Sequence, residues 1–86
     1  MPMKILRSQK MRGLLAIGKL RAKRKPRLCP GDGGLSSLHH ETLTNGWHYQ
    51  VEWIHDTRFK PEPWIEVFAF RPGHDGTATH SLRSDN

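Results

Sequence analysis

The sequence predicts a small α+β protein, with a basic N-terminal helix or arm in front of a three-stranded antiparallel β-meander. Residues 1–28 contain ten Lys and Arg and no acidic residue, and their apolar residues recur at a helical spacing. Residues 29–34 contain one Pro and three Gly, which interrupt a helix. All seven aromatic residues lie between Trp47 and Phe70, where apolar and polar residues alternate as they do in a strand. A helix, an interruption and a sheet therefore follow one another along the chain.

An amphipathic helix is predicted over residues 3–20. The apolar residues that share one sector of this helix are Met3, Leu6, Leu14, Ile17 and Leu20. Gly13 and Gly18 each weaken a helix by about 1 kcal/mol relative to Ala. A three-stranded sheet with one apolar face needs a cover. The helix is therefore either the lid of the core or an arm that folds on a partner, and the charged run after it is expected to be extended.

The first two strands are predicted to form a hairpin around Asn45-Gly46, the dipeptide most typical of a two-residue type I′ turn. This turn determines the register of the whole hairpin. The predicted cross-strand pairs are Thr44–Trp47, Leu43–His48, Thr42–Tyr49, Glu41–Gln50, His40–Val51, His39–Glu52 and Leu38–Trp53. Glu41 and His39 then lie on the polar face of the sheet, away from the aromatic side chains.

A third strand is predicted over residues 64–70, with apolar residues on both faces, as in a more central strand. Pro72-Gly73 argues against a long fourth strand. The predicted organisation is a basic, partly helical arm at 1–28, a Gly/Pro hinge at 29–34, a three-stranded antiparallel sheet at 35–71 and a flexible polar tail at 72–86.

The composition excludes several classes of protein. The single cysteine, Cys29, cannot form an internal disulfide, and no apolar run is long enough to span a bilayer, so an intracellular protein of the cytoplasm, nucleoid or nucleus is expected. Among the six histidines, His74 and His80 formally fit the spacing of a zinc-ligand pair, but they lie in the predicted tail, so neither a metal nor a cofactor is expected. Cys29 lies in the hinge without a neighbouring base, and no pair of carboxylates stands out. We therefore expect a protein that is not an enzyme.

The basic arm suggests a polyanionic partner. Residues 1–28 carry +10 and the remaining residues carry −4, which gives the net charge of +6. Lys and Arg that neutralise phosphates release condensed counterions, so nucleic acid, either DNA or RNA, is the expected partner. The residues expected to contact phosphates are Lys19, Arg21, Lys23, Arg24, Lys25 and Arg27, with Arg7 and Arg12 adding to the positive field. The function predicted is that of a nucleic-acid-binding accessory or regulatory protein.

Other interpretations of the arm and the sheet stay open. The basic run is also typical of a targeting signal, of a segment that binds a membrane surface or an acidic protein, and of a solvated tail without a partner. Trp47, Tyr49 and Trp53 share one predicted face, which forms the core, stacks on bases or binds a protein. The main alternative function is a small interaction or inhibitor module that binds a protein through this Trp-rich sheet. Self-association through a strand edge and the absence of a stable fold are further alternatives.

Overall fold

The computed structural model describes the backbone of residues 3–24 and 34–84 and the side chains of residues 9–24 and 35–84. Its elements are α1 (Met3–Ala22), β1 (Gly34–Thr42), β2 (His48–His55), β3 (Trp64–Phe70) and β4 (His80–Arg83). The strands form one sheet in the order β1-β2-β3-β4, and each is antiparallel to the next. The predicted α+β class is confirmed, and the sheet has four strands where three were expected.

The fourth strand lies in the segment that was expected to be a flexible tail, so this expectation is wrong for residues 80–83. In β4, Leu82 pairs with Val67 of β3 and packs against the core. The backbone N–H groups of Thr79 and Ser84 donate to the carbonyls of Ala69 (2.7 Å) and Ile65 (2.8 Å) and extend the pairing on both sides. A strand of four residues has too little alternation for the sequence pattern to indicate it.

The turn between β1 and β2 differs from the predicted type I′ turn. Leu43 N–H donates to the Trp47 carbonyl (2.8 Å) and Gly46 N–H donates to the Leu43 carbonyl (2.9 Å), which closes a three-residue loop. Only Gly46 has a positive φ, of 94°, whereas a type I′ turn also requires a positive φ at Asn45. Asn45 instead accepts the Trp47 N–H on its side-chain oxygen (3.1 Å). The predicted turn position was right, but its type was wrong.

The longer loop moves the register by one residue. Glu41 pairs with Tyr49, and His39 pairs with Val51, so both polar residues lie on the helix side of the sheet rather than on the polar face. The register shifts again between His39 and Ser37, where a β-bulge inserts Leu38. Leu38 is 4% exposed, so the bulge returns an apolar side chain to the core.

Helix α1 covers one face of the sheet, so it is the lid of the core. The buried residues of this core are Met11, Leu14, Leu38, Tyr49, Val51, Ile65, Val67 and Ala69. Ile17 and Leu20, which the predicted sector placed toward the core, are 37% and 63% exposed. The buried side of α1 is centred on Gly18, because a Cβ at this residue would lie 2.6 Å from Val51 Cγ1 and 3.0 Å from Ile65 Cγ2. A count of apolar side chains overlooks a glycine, which is why the predicted sector was rotated.

The predicted hinge falls mainly outside the described part of the chain. Residues 29–33, including Cys29, are not among the described residues, and Gly34 is the first residue of β1. Within the described residues, no helix combines the length and the apolar character needed to cross a membrane.

Candidate nucleic-acid interface

The outer side of α1 carries a basic stripe, formed by Arg12, Lys19 and Lys23. Arg12 and Lys19 are seven residues apart, which places them on the same side of a helix, two turns from one another. Lys23 follows the helix in a turn closed by Arg24 N–H donating to the Arg21 carbonyl (3.1 Å). All three side chains are exposed, as is that of Arg24, and α1 contains no acidic residue. Four of the residues predicted to bind nucleic acid are therefore exposed, on the helix or just after it.

Arg21, another predicted phosphate contact, is exposed and also contacts the sheet. Its NH1 group donates to the carbonyl of Leu38 (3.0 Å), in the bulge of β1. The same nitrogen lies 3.0 Å from Nδ1 of His39. The guanidinium thus joins the end of α1 to the edge strand of the sheet. The side chains of Arg7, Lys25 and Arg27 lie outside the described residues, so the structure does not place these predicted contacts.

Four polar side chains, Lys10, Arg21, His39 and Glu41, form a docking network between α1 and β1. Lys10 Nζ lies 2.9 Å from Glu41 Oε2, and His39 Nε2 lies 2.9 Å from Glu41 Oε1. Because Arg21 donates to His39 Nδ1, the Nε2 atom carries the proton that His39 donates to Glu41. The hydrogen bond from Lys10, and after it that from His39, lowers the pKa of Glu41 below its usual value. This network exists only because the register places His39 and Glu41 on the helix side.

The predicted aromatic platform lies beneath α1. Tyr49 is 2% exposed, and Trp47 and Trp53 pack against the same core and are half-buried. The Trp47 ring lies parallel to His80 of β4, with 6.2 Å between ring centres. In this fold, the helix covers the face that carries the three residues, so they belong to the core, as one of the interpretations had it, and not to a surface open to bases or a protein.

The opposite side of the sheet, the open face, has no helix over it. Trp64 is covered there by cations, with Arg83 Cζ 4.6 Å and Lys60 Nζ 5.9 Å from its ring centre. An open groove of about 410 Å³ runs between the strands and the loop before β4. The residues that line it are Leu35, Gln50, Glu52, Ile54, Phe68, Phe70, Gly76 and Ala78. This face carries apolar side chains together with acidic and basic groups, whereas the outer side of α1 is basic.

The loop between β2 and β3 carries an exposed aromatic residue that the sequence interpretation missed. Phe59 is 73% exposed, between Arg58 and Lys60. The signal was present in the sequence, since an aromatic flanked by two cations in a Pro-containing loop is unlike a core strand. It was missed because aromatic residues were assigned to the core as a group.

Comparison with known proteins finds no matching family model, curated protein or solved structure. Among the described residues, no group of three or more His, Cys, Asp or Glu side chains is placed to hold a metal ion.

Proposed function

We propose that the protein is a nucleic-acid-binding accessory or regulatory protein without enzymatic activity, and that the outer side of α1 contacts phosphates. The proposal rests on how the contacts of the basic residues differ along the helix and the turn after it. Lys10 and Arg21 contact β1, Arg21 while remaining exposed, and Arg12, Lys19, Lys23 and Arg24 are exposed to solvent as well. The helix offers these exposed charges without an acidic neighbour of its own.

The fold supports the basic stripe in two ways. An isolated helix of this composition is only marginally stable in water. Packing on the sheet stabilises the helix and so holds its basic residues in place. At 1.5 Å per residue, Arg12 and Lys23 are about 16 Å apart along the helix axis, a length over which a nucleic acid presents several phosphates. Such contacts position a nucleic acid without reading its sequence.

A second candidate is a protein-interaction module that uses the open face. The groove there exposes apolar side chains beside Glu52, and Leu35 at its margin is 62% exposed. An apolar groove with an acidic group favours a partner segment that is apolar and basic. This candidate predicts that binding to the partner depends on Leu35 and is indifferent to Arg12.

Salt-dependent binding tests the nucleic-acid proposal. The full-length protein is titrated with labelled single- and double-stranded DNA and RNA at several salt concentrations. The slope of log affinity against log salt is negative. In Arg12→Gln it is expected to be less negative by about 0.7 to 0.9, the contribution of one phosphate contact. In the triple variant Arg12→Gln, Lys19→Gln, Lys23→Gln the change is expected to be about three times as large.

Arg71→Gln is the matched control, since it removes the same charge from an exposed residue in the loop after β3. Its salt slope is expected to stay close to that of the unmodified protein. Binding that is absent near physiological salt, or an equal slope for all variants, would contradict the proposed function and leave the protein-interaction candidate.

A further inference from the structure

Phe59 is the most exposed of the large apolar side chains in the described part of the chain. Its exposed fraction is 73%, compared with 63% for Leu20 and 62% for Leu35. A phenyl ring in this position contributes little to the core of its own protein. It is therefore available to a ligand, and its surroundings decide which kind.

The backbone beneath Phe59 is held by Asp56. The Asp56 carbonyl accepts the N–H groups of Phe59 (3.0 Å) and Lys60 (3.3 Å). Its carboxylate accepts the backbone N–H of Arg58 (3.1 Å) and both Nε (2.9 Å) and NH2 (2.6 Å) of the same side chain. These hydrogen bonds lower the pKa of Asp56, which is 5% exposed. The turn of residues 56–60 is thus ordered before any ligand arrives, which reduces the entropic cost of binding.

The cation nearest to the ring is paired with an acid. Arg58 Cζ lies 5.8 Å from the centre of the Phe59 ring, but its charge is offset by the two contacts to Asp56. Lys60 Nζ lies 5.9 Å from the centre of the Trp64 ring. The turn therefore offers the exposed face of Phe59 together with the charge of Lys60.

The turn lies at the end of the sheet toward which α1 runs. Lys10 contacts Glu41, at the end of β1, while Gly18 lies against Val51 and Ile65. The helix therefore proceeds along the sheet in the direction of β2, toward the loop that joins β2 to β3. Arg24, the last cation of residues 19–27 that the structure describes, follows α1 at the end that points in this direction.

We propose that Phe59 stacks on an unpaired base, so that the nucleic acid bound along α1 is single-stranded or contains an unpaired segment. This inference rests on the proposed function. The faces of a base within a duplex are covered by its neighbours, whereas an unpaired base can be stacked on an aromatic side chain. Stacking accepts any base, which fits a phosphate-binding stripe that does not read sequence. The basic stripe alone does not distinguish single strands from duplexes, and Phe59 supplies a preference for single strands.

The test compares Phe59→Ala, Phe59→Leu and Phe59→Tyr in the full-length protein, with a labelled single-stranded oligonucleotide of mixed sequence, in DNA and RNA form, and with the matching duplex. Loss of the stacked ring is expected to weaken single-strand binding by about 5- to 150-fold in the Ala and Leu variants. The Tyr variant keeps a ring and is expected to keep the affinity. Duplex binding is expected to be unchanged throughout. The salt slope is also expected to stay constant, because no charge is removed.

Leu35→Ala is the control for loss of an exposed apolar side chain elsewhere, and it is expected to bind as the unmodified protein does. If Phe59→Leu retains full affinity, or if Phe59→Ala weakens single strands and duplex equally, the stacking inference is overturned. If all Phe59 variants bind normally while Arg12→Gln lowers the salt slope, stacking fails and the proposed function stands. If the unmodified protein binds neither form of nucleic acid, the proposed function itself fails.

Discussion

Gly18 determines how closely α1 approaches the sheet. A Cβ at this residue would lie 2.6 Å from Val51 Cγ1 and 3.0 Å from Ile65 Cγ2. Both neighbours are β-branched, with few rotamers to move into, and they are 0% and 7% exposed. Gly18 therefore weakens the isolated helix, but the packing of the helix on the sheet requires a glycine at this position.

Substitution of Gly18 by Ala is expected to lower the free energy of unfolding by about 1 kcal/mol or more. Overpacking of a core costs about 1 to 3 kcal/mol, which exceeds the gain of up to about 1 kcal/mol in helix propensity. Gly13→Ala is the matched control, because a Cβ there has no atom within 4 Å and only the propensity gain remains. Urea denaturation of both variants measures the difference. Equal stabilisation by the two substitutions would show that the helix does not pack through Gly18.

At the scale of elements, the hairpin shows where local sequence is insufficient. Asn45-Gly46 is compatible with both a two-residue and a three-residue loop, and the choice changes which face the residues of β1 between the turn and the bulge occupy. Glu41 and His39 lie on the helix side because Lys10 and Arg21 are there to meet them. The position of the turn could be predicted from two residues, whereas the register depends on residues more than 15 positions away.

The short strand β4 offers a direct test of the corrected C-terminal segment. Leu82 is half-buried against the core, and its neighbour Ser81 is exposed. Leu82→Ala is expected to lower the free energy of unfolding by about 1 to 2 kcal/mol, less than for a fully buried leucine. Ser81→Ala is expected to change it by less than about 0.5 kcal/mol. If urea denaturation finds both variants as stable as the unmodified protein, β4 does not contribute to the fold.

At the scale of the whole molecule, the two oppositely charged parts of the chain are packed on each other. The basic helix lies over a sheet whose edge strand contributes Glu41, and Lys10 and Arg21 bridge the two. Among the described side chains of α1, Arg12 and Lys19 are exposed to solvent, which places positive charge on the outer side of the helix. Charge segregation along the sequence thus becomes charge segregation in space.

The docking network makes the stability of the fold depend on pH. Because the folded state lowers the pKa of Glu41 below its ordinary value of 4.5, the stabilisation is present above that pH and is lost as the pH falls through the folded-state pKa. Glu41→Gln is expected to be less stable than the unmodified protein at neutral pH by up to about 1 kcal/mol, and the difference is expected to vanish in acid.

Thermal denaturation of both proteins, from neutral pH down to a pH below the folded-state pKa of Glu41, checks the prediction. Glu62→Gln, which removes the same charge from an exposed loop residue, is the control and is expected to show no such difference. A destabilisation by Glu41→Gln that is independent of pH would indicate lost packing rather than a lost ion pair.

The sequence by itself determined the α+β class, the helical character of the basic segment and the positions of the first three strands. These follow from charge and from apolar periodicity, which are local properties that short windows of residues express. Only the tertiary structure decided the register of β1, the existence of β4 and the buried side of α1. The same applies to the division of cations between the sheet and solvent. Each of these depends on contacts between residues distant in the chain, such as Gly18 with Val51 and Lys10 with Glu41, whose free energies outweigh local preference.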